Sequence, residues 1–399
     1  MRAAMVLLWL TLGAASAAPA MPESLLARTP PAVLKVAPEQ ITAYRNYLEK
    51  SRVQTGVPGM AVIIVQPSRM LLLEGFGKKS AAADAPVTTT TRFALGPATE
   101  AINSLLLTRL AAQDLLDLDA PARRSWDEFK LNDAAATKTV TLRQLLGMTA
   151  GLPPRADEML SGPESTPADL FAIVSQIPVT AQPGNVFDYS DASAAVAGYL
   201  AVYAANHHHA PAAGLPASYA ELARTQLFDP LGMKLATYDA PAADGDDAAG
   251  HTREGKGPWK LTAPPAKSGG ALLPAAGLRL AADDVAAWLQ FELSDGTGPD
   301  GKSLVSRLAL QQRWRPGEKP AERDFGLGWA TQHYRGIELV ARIGEENHQA
   351  SLVLVVPQFR TALAVLTNAG SHEAAVFLQD ALLNFADLLR EASTPPAAK

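Results

Sequence analysis

The sequence predicts an α+β fold in which strands from both ends of the chain form one antiparallel sheet around an inserted helical lobe. A β-hairpin pattern lies near the start of the 399-residue chain, and four strand patterns follow one another in its last third. The middle of the chain, about residues 93–290, has mainly helical periodicity. We therefore expect a single sheet, flanked by helices, with an all-helical lobe inserted between its strands.

The first twenty residues have the pattern of a secretory signal peptide. Arg2 supplies a positive charge, Met5 to Leu12 is apolar, and the small residues that follow offer cleavage after Ala17 or Ala20. The apolar run is short for a membrane span, and no later segment is long and apolar enough to be one. We expect a periplasmic or secreted protein, with residues 21–40 as a linker.

Residues 41–390 form the predicted domain, and its elements follow from local patterns. Helices are predicted at Ile41–Val53, Thr141–Met148, Thr166–Ser175, Ala192–Ala205, Tyr219–Leu227, Ala281–Leu293 and Glu373–Arg390. Strands are predicted at Met60–Gln66, Met70–Phe76, Gly326–Gln332, Ile337–Ile343, Ser351–Val356 and Thr361–Thr367. Residues 391–399 are predicted to be a disordered tail.

A further predicted helix begins in the segment Phe93–Glu100 and continues through the apolar run Ala101–Leu110. Pro97 suits the first helical position, where its missing N–H costs nothing. Glu100 falls in the first turn, where the helix dipole favours a negative charge. By itself this segment is typical of a well-formed core helix.

Composition excludes several classes of function. A formal net charge of −5 argues against a nucleic-acid partner, and the absence of cysteine excludes thiolate catalysis and cysteine-ligated zinc. We expect no cofactor and no metal. The run His207–His209 could bind a metal, but a histidine run in such a polar loop is more often only exposed.

Seven short motifs, in order along residues 50–388, give the chain its strongest functional signal. They are Gly56–Val62, Leu115–Pro121, Leu145–Pro153, Pro183–Asp191, Asp229–Met233, Gly326–Trp329 and Leu366–Asn368. In this order and spacing the chain resembles the β-lactamase-related serine hydrolases, which include class C β-lactamases, penicillin-binding D-Ala-D-Ala carboxypeptidases and related esterases. The resemblance implies a sheet with flanking helices and a helical lobe, as predicted above.

The resemblance also implies a site built from three motifs, and this chain departs from each. Ser-x-x-Lys, which supplies the nucleophile and its base, is replaced by Pro97 and Glu100, with no lysine in the chain three residues after a serine. Tyr-x-Asn becomes Tyr189-Ser190-Asp191, which keeps the tyrosine. The third motif, Lys or His-x-Gly, aligns with Arg342-Ile343-Gly344.

Loss of the nucleophile costs such enzymes about a million-fold in rate, so the motifs indicate a catalytically inactive pseudoenzyme. We expect a cleft lined by Glu100, Tyr189, Asp191 and Arg342, with an ion pair between Glu100 and Arg342. Such a cleft would bind a peptidoglycan fragment, a peptide or a protein partner. The alternative is an active hydrolase (esterase, peptidase or β-lactam-type) with a non-standard mechanism through Tyr189, Glu100 and Asp191.

Overall fold

The structure, a computed structural model, describes residues 30–160, 164–206, 214–242, 245–255, 257–264, 269–315 and 324–394. The predicted signal peptide, His207–His209 and the last five residues of the predicted tail lie outside the described residues. Every helix within the described ranges is too short or too polar to span a bilayer.

The longer strands lie near the two ends of the described chain, and helices fill most of its middle. The strands are β1 Gly59–Gln66, β2 Arg69–Gly77, β3 Arg92–Ala94, β4 His251–Thr252, β5 Lys260–Leu261, β6 Arg279–Ala281, β7 Ala330–Tyr334, β8 Ile337–Glu346, β9 Gln349–Val356 and β10 Thr361–Thr367. The helices are α1 Pro38–Thr55, α2 Thr99–Ala111, α3 Ala134–Thr139, α4 Leu142–Leu146, α5 Pro167–Gln176, α6 Asp191–Ala205, α7 Leu215–Ala223, α8 Asp229–Leu231, α9 Leu273–Ala276, α10 Ala282–Leu293, α11 Arg307–Gln312 and α12 His372–Ser393.

Six strands form one sheet in the order β2-β1-β10-β9-β8-β7, and every neighbouring pair is antiparallel. The early hairpin joins the late strands through β1 and β10, where Met60 pairs with Thr367 and Val65 with Ala362. The predicted α+β architecture, with a sheet built from both ends of the chain, is therefore confirmed.

Successive residues of β1 point to opposite faces of the sheet and enter two separate cores. Ala61, Ile63 and Val65 pack into the core shared with the helical lobe, whereas Val62 and Ile64 pack toward α1 and α12. Because both faces are covered, β1 is buried along its whole length and has a continuous apolar sequence.

Helix α2 runs through the core of the helical lobe. All its residues from Thr99 to Thr108 are buried, and Leu110 is buried as well. The sequence predicted one buried face, but neighbouring helices, among them α6 and α9, cover the other sides. This central position fixes the start of α2, where the resemblance places the site.

Several boundaries differ from the predictions. Strand β7 begins at Ala330, because the Gly326 N–H donates to the Trp329 carbonyl and closes a turn over the predicted strand start. Helix α1 begins at Pro38, inside the predicted linker, and α12 runs to Ser393, inside the predicted tail. The short pairs β3–β6 and β4–β5 were not predicted, since two or three residues carry no readable periodicity.

Candidate functional site

The segment before α2 forms a tight 3₁₀ turn over Gly96–Ala98, and α2 itself begins at Thr99. The prediction that Pro97 is the first α-helical residue is therefore wrong, because Pro97 belongs to the turn. Glu100 is the second residue of α2, within the first turn as predicted.

Two glycines let this turn pack directly on strand β8. Gly96 has a φ of +59°, and a Cβ there would lie 2.9 Å from the Glu345 backbone. A Cβ on Gly344 would lie 2.2 Å from the Leu95 carbonyl oxygen. The third motif and the nucleophile position are thus in backbone contact, which brings Arg342 close to Glu100.

Four side chains from three separate segments meet at this contact. The Nη2 atom of Arg342 lies 2.6 Å from Oε2 of Glu100 and 2.6 Å from the hydroxyl of Tyr189. The same hydroxyl lies 2.8 Å from Oε1 of Glu100 and 2.5 Å from Oδ1 of Asp191. The predicted contact between Glu100 and Arg342 is therefore present, and it is part of a larger polar network. Arg342 Nε also donates to the Pro97 carbonyl at 3.3 Å.

The hydrogen bonds of the network require one of its two carboxyl groups to carry a proton. The Tyr189 hydroxyl has one hydrogen to donate, and it accepts a hydrogen bond from Arg342. It can donate to Asp191 or to Glu100, but not to both. Its second short contact to a carboxyl group is a hydrogen bond only when that carboxyl group carries a proton.

Glu100 is the group that carries this proton. Burial raises the pKa of Glu100 to about 8, and the nearby charge of Asp191 acts in the same direction. The charge of Arg342 and the hydrogen bond from Tyr189 oppose this rise without cancelling it. At neutral pH Glu100 therefore holds its proton, while Arg342 stays a cation.

Aromatic rings cover the Arg342 guanidinium. Its carbon atom lies 4.9 Å from the centre of the Tyr189 ring and 5.2 Å from that of Phe325, within the range of cation–π attraction. Phe325 also contacts Phe187, at 5.3 Å between ring centres. Phe325 was not among the predicted site residues; its only signal in the sequence was its position immediately before the Gly326–Trp329 motif.

Three of the four side chains of the network are buried. Glu100 has no exposed surface, and Asp191 and Arg342 are 3% and 5% exposed. The expectation that these three side chains line an open cleft is therefore wrong. Tyr189 alone of the four is partly exposed.

Pro97, Ser190 and Tyr189 are each poorly suited to act as the nucleophile of ordinary acyl transfer. Pro97 has neither a hydroxyl nor an N–H. Ser190 is fully buried, 3.5 Å from Oδ1 of Asp157. Burial raises the pKa of the Tyr189 hydroxyl well above its usual value, which makes it a poor nucleophile at neutral pH. Within the described residues no group of three or more His, Cys, Asp or Glu side chains could hold a metal ion.

Comparison with known proteins identifies the scaffold. The family model described as Beta-lactamase matches residues 42–386, which is most of the chain. The chain belongs to the β-lactamase family. Membership shows the scaffold and leaves the activity open.

Two relatives and one solved structure show how far the likeness extends. Protein flp of Staphylococcus aureus (strain MW2) is 24% identical over 329 residues, covering 79% of this chain and 60% of flp. A β-lactamase of Escherichia coli (strain K12) is 28% identical over 281 residues, covering 69% of this chain and 66% of that protein. The chain thus spans less than two thirds of either relative.

The solved structure is that of the octameric penicillin-binding protein homologue from Pyrococcus abyssi. It is 20% identical, with a TM-score of 0.71, and the match covers 87% of this chain and 77% of that one. At this identity the likeness shows the fold alone, and it agrees with the sheet and helical lobe described above.

Proposed function

We propose that this protein is an exported member of the β-lactamase family that has lost acyl-transfer activity and acts by binding. One observation carries the proposal: Glu100, Tyr189, Asp191 and Arg342 satisfy one another in a buried network where the family's nucleophile and base would stand. Export is inferred from the signal-peptide pattern of residues 1–20.

The network supports inactivity for two physical reasons. First, no hydroxyl occupies the position of the nucleophile, because Pro97 stands there. Second, the lysine that would help to remove the nucleophile's proton is replaced by a buried carboxyl group, which is bonded to Arg342 and Tyr189. Nucleophile and base act as a unit, so their joint loss leaves little of the usual rate enhancement.

The same network leaves one of its side chains, Tyr189, partly exposed and available for binding. The scaffold and the closely packed turn at Gly96–Ala98 are retained, and the partly exposed Tyr189 lies at the surface of the filled site. A peptidoglycan fragment, a peptide or a protein partner would therefore contact Tyr189 and its aromatic neighbours without reaching Glu100. An active hydrolase using Tyr189, Glu100 and Asp191 is the competing proposal.

Covalent labelling and turnover separate the two proposals. The purified protein, without residues 1–20, is incubated with a fluorescent penicillin, with nitrocefin and with p-nitrophenyl esters, beside an active class C β-lactamase as positive control. We expect neither labelling nor turnover above background. Turnover that is lost in the variant Tyr189→Phe, or a penicillin-labelled band, would refute inactivity.

Binding is tested separately with muropeptides prepared from purified peptidoglycan. We expect saturable binding that Tyr189→Ala weakens, because Tyr189 is the exposed member of the network. Arg69→Ala, an exposed substitution on β2, is the matched control and should leave the affinity unchanged. Equal binding by the wild type, Tyr189→Ala and Arg69→Ala would place the ligand elsewhere on the molecule.

A further inference from the structure

A second potential site lies at the opposite end of helix α2 from the buried network. A groove of about 1030 Å³ is bounded there by Arg109 of α2, by the Leu116–Leu118 segment, and by Val305 and Leu327. Arg109 is nine residues after Glu100, or roughly 13 Å along the helix axis. A volume of this size suits a ligand as large as a short peptide.

Two of the arginines around this groove are already neutralised by the protein. Arg313 makes two hydrogen bonds to Glu292, at 3.1 and 3.0 Å, and both side chains are buried. Arg143 makes two to Asp119, at 2.6 and 2.9 Å. These pairs form part of the walls and leave no charge for a ligand.

Arg109 and Arg124 differ, because neither has an ion-pair partner within the described ranges. Arg109 Nη1 donates to the Leu304 carbonyl at 2.6 Å, while its Nε is buried and has no hydrogen-bond partner among the described residues. A half-buried guanidinium with an unused donor costs free energy unless an acceptor meets it. Arg109 is partly exposed and lines the groove, so a carboxylate bound there would supply the opposite charge that this guanidinium lacks.

The groove also contains charge of the opposite sign. Asp114 and Asp117 line it at the C-terminal end of α2, and neither forms an ion pair within the described part of the chain. Helix C-termini attract positive charge through the helix dipole. The two cations and the two carboxylates share one groove without pairing with each other, so a ligand that carries both charges can satisfy both sets.

We infer that this groove binds a short peptide with free termini. The peptide carboxylate pairs with Arg109, supported by Arg124, and its ammonium group pairs with Asp117 and Asp114. The apolar wall formed by Leu116 and Leu118 covers the body of the peptide. This site is separate from the buried network, so its occupancy does not depend on whether the protein is an enzyme.

Three probes of equal length test the inference by calorimetry at pH 7: trialanine, N-acetyl-trialanine and trialanine amide. Trialanine carries both terminal charges, and each derivative lacks one of them. We expect trialanine to bind, and each derivative to bind about tenfold more weakly, because each loses a charge-assisted interaction. Equal affinity for all three, or no binding of any, overturns the inference.

Variants then assign each terminus to its residue. Arg109→Gln should weaken trialanine and N-acetyl-trialanine by about tenfold and leave the amide unchanged. Asp117→Asn should weaken trialanine and the amide, and leave the N-acetyl form unchanged. Arg109→Lys keeps the charge and should retain part of the affinity, and Arg69→Gln, on exposed β2, is the matched control. Unchanged trialanine affinity in a folded Arg109→Gln protein refutes the assignment.

Discussion

The proton assigned to Glu100 predicts how the stability of the protein depends on pH. The pKa of Glu100 is raised by burial from 4.5 to about 8. Between these values the folded protein holds a proton that the unfolded chain releases. Stability from this group is therefore fully present below pH 4.5 and is lost as pH rises toward 8.

The size of the effect follows from the same shift. One proton bound only by the folded state changes the free energy of unfolding by at most about 1.4 kcal/mol per pH unit. Over the whole interval the upper limit is roughly 5 kcal/mol. Glutamine resembles the protonated glutamic acid in shape and cannot lose the proton, so Glu100→Gln should remove this slope.

Urea unfolding of the wild type and Glu100→Gln, measured at intervals from pH 5 to 9, tests the prediction. We expect the variant to gain stability relative to the wild type by a few kcal/mol between pH 5 and 8, and nothing further above that range. Glu39→Gln, which removes an exposed carboxylate in the first turn of α1, is the matched control. Parallel curves for the wild type and Glu100→Gln would refute the assignment of the proton.

Substitutions at four further positions test the packing of the network. Arg342→Met should lower the free energy of unfolding by about 3 kcal/mol because it leaves Asp191 buried without a cation, and adding Asp191→Asn should recover part of that loss in a double-mutant cycle. Tyr189→Phe should cost about 1–3 kcal/mol in urea unfolding, since the groups bonded to its hydroxyl lose a partner. Gly344→Ala should cost about 1–3 kcal/mol and lower the melting temperature, since the new Cβ would overlap the Leu95 carbonyl; an unchanged melting temperature would show that the turn can move away from β8.

The elements that could be predicted from the sequence are those with a strong local pattern. Strand β10 was predicted at its observed bounds, Thr361–Thr367, because a β-branched and apolar run between turn residues is typical of a strand. The pairing of β3 with β6 could not be predicted, because the two strands are joined by hydrogen bonds across more than 180 residues of chain. Periodicity describes neighbours in sequence and carries no information about such pairs.

The candidate site, too, could be predicted from the sequence only in part. Motif order indicated that Glu100, Tyr189, Asp191 and Arg342 belong together, and the ion pair was expected from the exchange of a lysine for a glutamate opposite a retained cation. Apart from the position of Phe325 just before the Gly326–Trp329 motif, the sequence did not indicate that this ring covers Arg342, because such a contact depends on how the lobe packs on the sheet.

Residue types already show what is chemically missing: Pro97 cannot act as a nucleophile, and Glu100 cannot replace a lysine. The arrangement that replaces the usual site depends on the folded protein. Gly344 packs against the turn before α2, which buries Glu100 against Arg342, and burial raises the pKa of Glu100 enough to hold a proton at neutral pH. Burial and proton occupancy depend on atoms that converge from distant segments, and a sequence specifies them only once it is folded.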